Sequence, residues 1–109
     1  MADGDVIERL ERVIESRMRE RPEASYVARL LAGGEAELSA KLREESEELI
    51  AASLRGETVH EAADLVFHLL VLLASRGVEF AAVRAELERR FGIGGLAEKA
   101  ARPPRQDGT

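Results

Sequence analysis

The run Ala62–Ala74, AADLVFHLLVLLA, constrains the fold of this chain more than any other stretch. It is apolar on nearly every side, the mark of a helix that must be buried. Its polar interruptions are Glu61, Asp64 and His68, which at about 100° per residue fall within an arc of roughly 60°. Unpaired buried charge is costly, so these groups need partners. A four-helix monomer of this size leaves part of such a helix uncovered, and a homodimer that covers it is expected.

The partners sit just upstream, in KLREESEELIAASLRGETVHEAAD (Lys41–Asp64). Glu45 and Glu48 lie roughly 60° apart on one helix face, as do Glu61 and Asp64, and Glu44 shares the first face. If the two helices fold back as an antiparallel hairpin around Gly56, at least four carboxylates converge. Crowded carboxylates raise one another's pKa unless a cation neutralises them. Oxygen ligands with no Cys and little His suit Mg²⁺ or Mn²⁺ and argue against zinc. Mg²⁺ keeps some of its waters and binds substrate phosphates, which points to phosphate chemistry. Plainer readings stand beside this one. Glu44–Glu48 can be a solvated helix face, Asp64 can serve a salt bridge, and Glu61 can close a capping box with Thr58 as N-cap.

The other elements read as helices. Asp5–Arg19 is amphipathic, with Asp5 as N-cap and Val6, Leu10, Val13, Ile14 and Met18 inward. Arg21-Pro22-Glu23 breaks it, and Ser25–Ala32 forms a short helix ended by Gly33-Gly34. Tyr26 there is a packed aromatic, or else Ser25, Tyr26 or Arg29 lines a ligand pocket. A long helix follows over Glu35–Leu54, with Leu38, Leu42, Leu49 and Ile50 on its apolar side. Its Lys41 either pairs with Glu44 and Glu45 along the helix or faces a phosphate. His68 is a satisfied core histidine, a second donor behind the metal, or a phosphate contact. Glu79–Phe91 turns Phe80, Val83, Leu87 and Phe91 inward. The glycines of GIGG (Gly92–Gly95) follow a helix and lack a Lys-Ser/Thr, so they form a stop and hinge, not a phosphate loop. No period-two alternation marks a strand. The fold class expected is all-α, a four- to five-helix bundle. A single domain is expected over residues 1–102 and a flexible tail over 103–109.

Composition removes several functions. The net charge of −5 disfavours a general electrostatic grip on nucleic acid. The absence of cysteine excludes disulfides and thiolate chemistry. The acidic start MADGDVIERL is not a signal peptide, and the longest apolar run falls short of the ~20 residues that span a bilayer. A soluble cytoplasmic protein is expected, with neither nucleic acid nor membrane as partner.

The spacing Glu45-x-x-Glu48, twelve residues, Glu61-x-x-Asp64 resembles the signature of the all-α MazG-like nucleoside triphosphate pyrophosphohydrolases. More closely, KLREESEELIAAS and HEAADLVFHLLVLLASRGV, with SYVARLLAGG upstream and RFGIGGLAEKAAR downstream, resemble the phosphoribosyl-ATP pyrophosphohydrolase family over about Leu10–Arg102. Arg29, Arg43 and the acidic lead-in GGEAELSAK depart from the family's usual residues. The resemblance implies hydrolysis of phosphoribosyl-ATP to phosphoribosyl-AMP and pyrophosphate, the second step of histidine biosynthesis, by a Mg²⁺-dependent homodimer. It implies Glu45, Glu48, Glu61 and Asp64 as metal ligands, and Glu44 as proton acceptor or further ligand. Lys41, with His68, Lys99 and Arg102, would meet phosphate oxygens. A house-cleaning (d)NTP pyrophosphohydrolase would use the same carboxylates and ion, and a non-catalytic helical interaction module would need neither.

Overall fold

The computed structural model describes residues 5–92. Five helices follow one another: α1 (Val6–Glu20), α2 (Tyr26–Ala32), α3 (Gly34–Ala51), α4 (Arg55–Ser75) and α5 (Phe80–Phe91). No strand occurs among the described residues, so the fold is all-α. The α3–α4 pair makes the most extensive packing in the molecule. A connection of only Ala52–Leu54 joins them into a helical hairpin, and α1 and α2 lie across it.

The core consists of Ile14, Val27, Leu30, Leu38, Leu70 and Val71, with Ile7, Leu10, Met18 and Phe67 packed against it. On α1 the inward stripe is therefore Ile7–Leu10–Ile14–Met18, with i, i+3, i+7 spacing. Val6 and Val13, expected inward, are exposed. Asp5 caps α1 as its sequence suggests, accepting from the Ile7 amide at 2.9 Å. Ser25 caps α2, accepting from Ala28 at 3.1 Å. Arg21, at φ 51°, ends α1 in a left-handed turn, and its guanidinium Nε donates to the Met18 carbonyl.

The hairpin differs from expectation at its tip. α3 ends at Ala51 instead of Leu54, and Gly56 and Thr58 lie inside α4. The cause is Glu57, whose Oε1 lies 3.4 Å from the backbone nitrogens of both Ser53 and Leu54. Those amides would otherwise be orphaned at the helix start. Thr58 instead donates its hydroxyl to the Leu54 carbonyl. The capping role thus falls to Glu57, and Glu61 is free of it.

Two apolar expectations fail for physical reasons. Ile50, placed on the inner side of α3, is 82% exposed. α5 has no buried residue, and Leu87 and Phe91 are exposed. Phe80 packs on the core, but α5 is otherwise held to α1 by polar contacts. Glu11 accepts from the Phe80 amide at 2.5 Å, and Arg84 reaches Asp5 at 2.7 Å and Glu8 at 3.3 Å. With its polar residues included, α4 has the length and apolarity of a membrane-crossing helix; here it packs against α3 and α1.

Candidate active site

The site grows from the inner face of α3. Leu38, Leu42, Glu45 and Leu49 follow the spacing of an apolar stripe, so a carboxylate occupies a position where a fourth leucine would fit. Glu45 is only 5% exposed. Its Oε2 lies 3.7 Å from Lys41 Nζ, and its Oε1 is buried with no hydrogen-bond partner among the described residues. An orphaned buried carboxylate oxygen is rare and needs an explanation.

The explanation lies across the hairpin. Glu45, Glu61 and Asp64 each offer an oxygen, and the three oxygens lie within 4.8 Å of one another. Glu61 Oε1 is likewise buried and without a hydrogen-bond partner among the described residues. Desolvation raises the Glu61 pKa above its ordinary value, and the neighbouring Glu48 raises it further by its charge and a shared hydrogen bond. Three carboxylates with two orphaned oxygens form a cage suited to a hard divalent cation, which would relieve both the crowding and the missing partners.

The remaining expected site residues fall at different distances from this cage. Glu48 adjoins Glu61 but is not one of the three whose oxygens converge. Glu44 is exposed, and its Oε1 lies 3.4 Å from Lys41 Nζ. The hydrogen bond to Glu44, with Tyr26 and the charges of Glu44 and Glu45 adding to it, holds the Lys41 ammonium above its usual pKa. Lys41 and Glu44 also border an open groove of about 600 Å³ that runs along α3 past Ala40, Glu37 and Ala36 to Gly33. Lys99 and Arg102 lie outside the described residues.

His68 is drawn inward. It is 5% exposed, with Nδ1 2.8 Å from the Asp64 carbonyl oxygen and Nε2 2.8 Å from the Tyr26 hydroxyl. Both ring nitrogens are engaged, which leaves none for a phosphate, and the core-histidine alternative is the one that the packing follows. One neighbour escaped the sequence reading: His60 Nε2 lies 3.3 Å from Asp64 Oδ2. The signal was the i, i+4 spacing of the two residues.

The sequence profile of the phosphoribosyl-ATP pyrophosphohydrolase family matches residues 7–91. The chain belongs to this family. Among similar proteins, the phosphoribosyl-ATP pyrophosphatase of Novosphingobium aromaticivorans is 50% identical over 105 residues, covering 94% of this chain and 98% of its own. That of Rhodopirellula baltica is 45% identical over 107 residues, covering 93% and 89%. That of Rhizorhabdus wittichii is 51% identical over 100 residues, covering 89% and 94%. The match to the phosphoribosyl-ATP pyrophosphohydrolase family spans all five helices, and with them the acidic hairpin and both members of the Tyr26–His68 pair.

Proposed function

We propose that this chain hydrolyses phosphoribosyl-ATP to phosphoribosyl-AMP and pyrophosphate, a step of histidine biosynthesis, in the cytoplasm. The observation that carries the reading is likeness at about half identity, over nearly the full length, to proteins named for that activity. The converging carboxylates supply the chemistry. Glu45, Glu61 and Asp64, with Glu48 beside them, would hold Mg²⁺ or in its place Mn²⁺; the orphaned oxygens of Glu45 and Glu61 support this assignment. When bound, such an ion screens phosphate charge and favours attack of water on the α–β phosphoanhydride.

The chain's own residues do the rest. Lys41 neutralises phosphate oxygens, its ammonium lying 3.4 Å from Glu44 and 3.7 Å from Glu45 at the edge of the cage. Glu44, exposed at the groove mouth, accepts the proton of the attacking water or completes the metal shell. Lys99 and Arg102 are further cations for the phosphates. The active unit is a homodimer, and the domain extends over residues 1–102 with a tail beyond. Support for the dimer comes from Ile50, Leu54 and Val59, which are 82%, 65% and 59% exposed near the hairpin tip, and from the many residues of α4 that stay only half-buried in one copy.

The test is pyrophosphate release from phosphoribosyl-ATP, with dATP, dCTP and dUTP in parallel, each with Mg²⁺ and with EDTA. Mg²⁺-dependent release from phosphoribosyl-ATP alone is expected. Release mainly from the deoxynucleotides would move the protein to the house-cleaning branch with its metal site intact. Absence of release from every substrate by well-folded protein would leave a non-catalytic helical module.

A further inference from the structure

The hydrogen bonds of His68 have a fixed direction. A backbone carbonyl can only accept, so Nδ1, 2.8 Å from the Asp64 oxygen, carries a hydrogen. In the neutral ring Nε2 then has a lone pair and must accept from the Tyr26 hydroxyl, 2.8 Å away. The ring is further fixed by aromatic neighbours. Tyr26 stacks on Phe67 at 6.0 Å, and His68 meets both rings edge-on at 5.7 and 5.1 Å. A directed chain thus runs from the first residue of α2, through a buried imidazole, to the turn of α4 that carries Glu61 and Asp64.

α2 also packs on α3, which carries Glu45. It therefore bridges the two helices whose carboxylates face each other. Those carboxylates repel, and their repulsion pushes α3 and α4 apart at the level of the cage. Mg²⁺ demands near-ideal octahedral oxygens at about 2.0–2.1 Å, so a small spreading or rotation of α4 spoils the site. Apolar packing resists separation but not rotation, whereas the directed Tyr26–His68 hydrogen bond ties α2 to α4, and the Nδ1–Asp64 bond within α4 fixes the ring that makes it.

We infer that Tyr26 and His68 are positioning residues for the cation site, pinning α4 in the rotation that brings Glu61 and Asp64 to Glu45. This rests on the proposed metal site and goes beyond it, since neither residue touches the ion. In Tyr26→Phe the ring stacking is kept and His68 Nε2 loses its donor. In His68→Asn the amide nitrogen replaces Nδ1 on the Asp64 carbonyl, and the bond to Tyr26 is lost.

The experiment is calorimetric titration of Mn²⁺ into the full chain, with thermal melts in EDTA as a separate readout. Both variants should bind Mn²⁺ about tenfold more weakly than the parent, the size of effect seen when an orienting partner is removed. The double variant should bind no more weakly than either single one, because both remove the same bond. Maximal activity should be restored at high Mg²⁺. If the variants melt lower in EDTA but bind Mn²⁺ like the parent, the pair merely packs α2 and the inference is overturned. Full additivity in the double variant overturns it as well. Failure of the parent itself to bind Mn²⁺ overturns the metal site and the inference together, whereas equal binding by parent and variants overturns the inference alone.

Discussion

Glu61 carries the plainest pH signature in the site. Its folded-state pKa lies above the ordinary value of 4.5, through desolvation and the charge of Glu48. A carboxylate of that kind stabilises the fold while protonated, and the contribution is lost as pH rises through the folded value. In EDTA, Glu61→Gln should therefore melt higher than the parent at pH 7 and converge with it as pH falls below the ordinary carboxylate range, a comparison made by thermal melts across pH. With Mg²⁺ present the order should reverse, because the parent gains ligand stabilisation that the variant lacks. Glu45→Gln and Asp64→Asn should lose activity by about 100-fold or more, since even the partners behind metal ligands are worth 10–100-fold; the pyrophosphate assay at fixed Mg²⁺ reads this directly.

At the scale of elements, α5 is the test case. It is held by the Glu11 cap on Phe80 and the Arg84 pairs with Asp5 and Glu8, with no buried side chain of its own. Glu11→Ala should destabilise the protein by about 1 kcal/mol, the usual worth of a cap, as measured by urea unfolding. Within α5, the hydrogen bonds of Arg89 and Arg90 lower the Glu86 pKa to about 2. That contribution is present above the ordinary carboxylate value and lost as pH falls toward 2, so in thermal melts Glu86→Gln should melt slightly lower than the parent at pH 7 and converge with it as pH falls toward 2.

The same elements show what a sequence discloses. Helices α1 to α4 were legible because caps such as Asp5 and Ser25 and the apolar run Ala62–Ala74 act locally. The carboxylate face was legible because spacing fixes angle on a helix. The start of α4 was misread because Thr58 and Glu61 match a capping box as well as Glu57 fits its actual role, and only the path of the chain at Ala52–Leu54 decides between them. The inward face of α5 was misread because Leu87 and Phe91 have helical spacing, yet both stay exposed in one copy. The Tyr26–His68 bond joins residues 42 apart in sequence, and no local pattern announces such a pair.

For the whole molecule, the apolar residues near the hairpin tip set the expectation. Ile50→Glu or Val59→Glu should convert the proposed dimer to monomer in sedimentation experiments, with loss of activity at dilutions where the parent is still assembled. The melting temperature of the parent should rise with protein concentration, as it does for any fold stabilised by association. The buried, unpartnered oxygen of Glu45 has a consequence for the protein's lifetime in the cell. A chain that must desolvate this carboxylate without a cation opens more often, and proteases act on the opened population. A cation seated between Glu45, Glu61 and Asp64 would lower that opening, so the residues that hold the ion would also slow proteolysis of the chain.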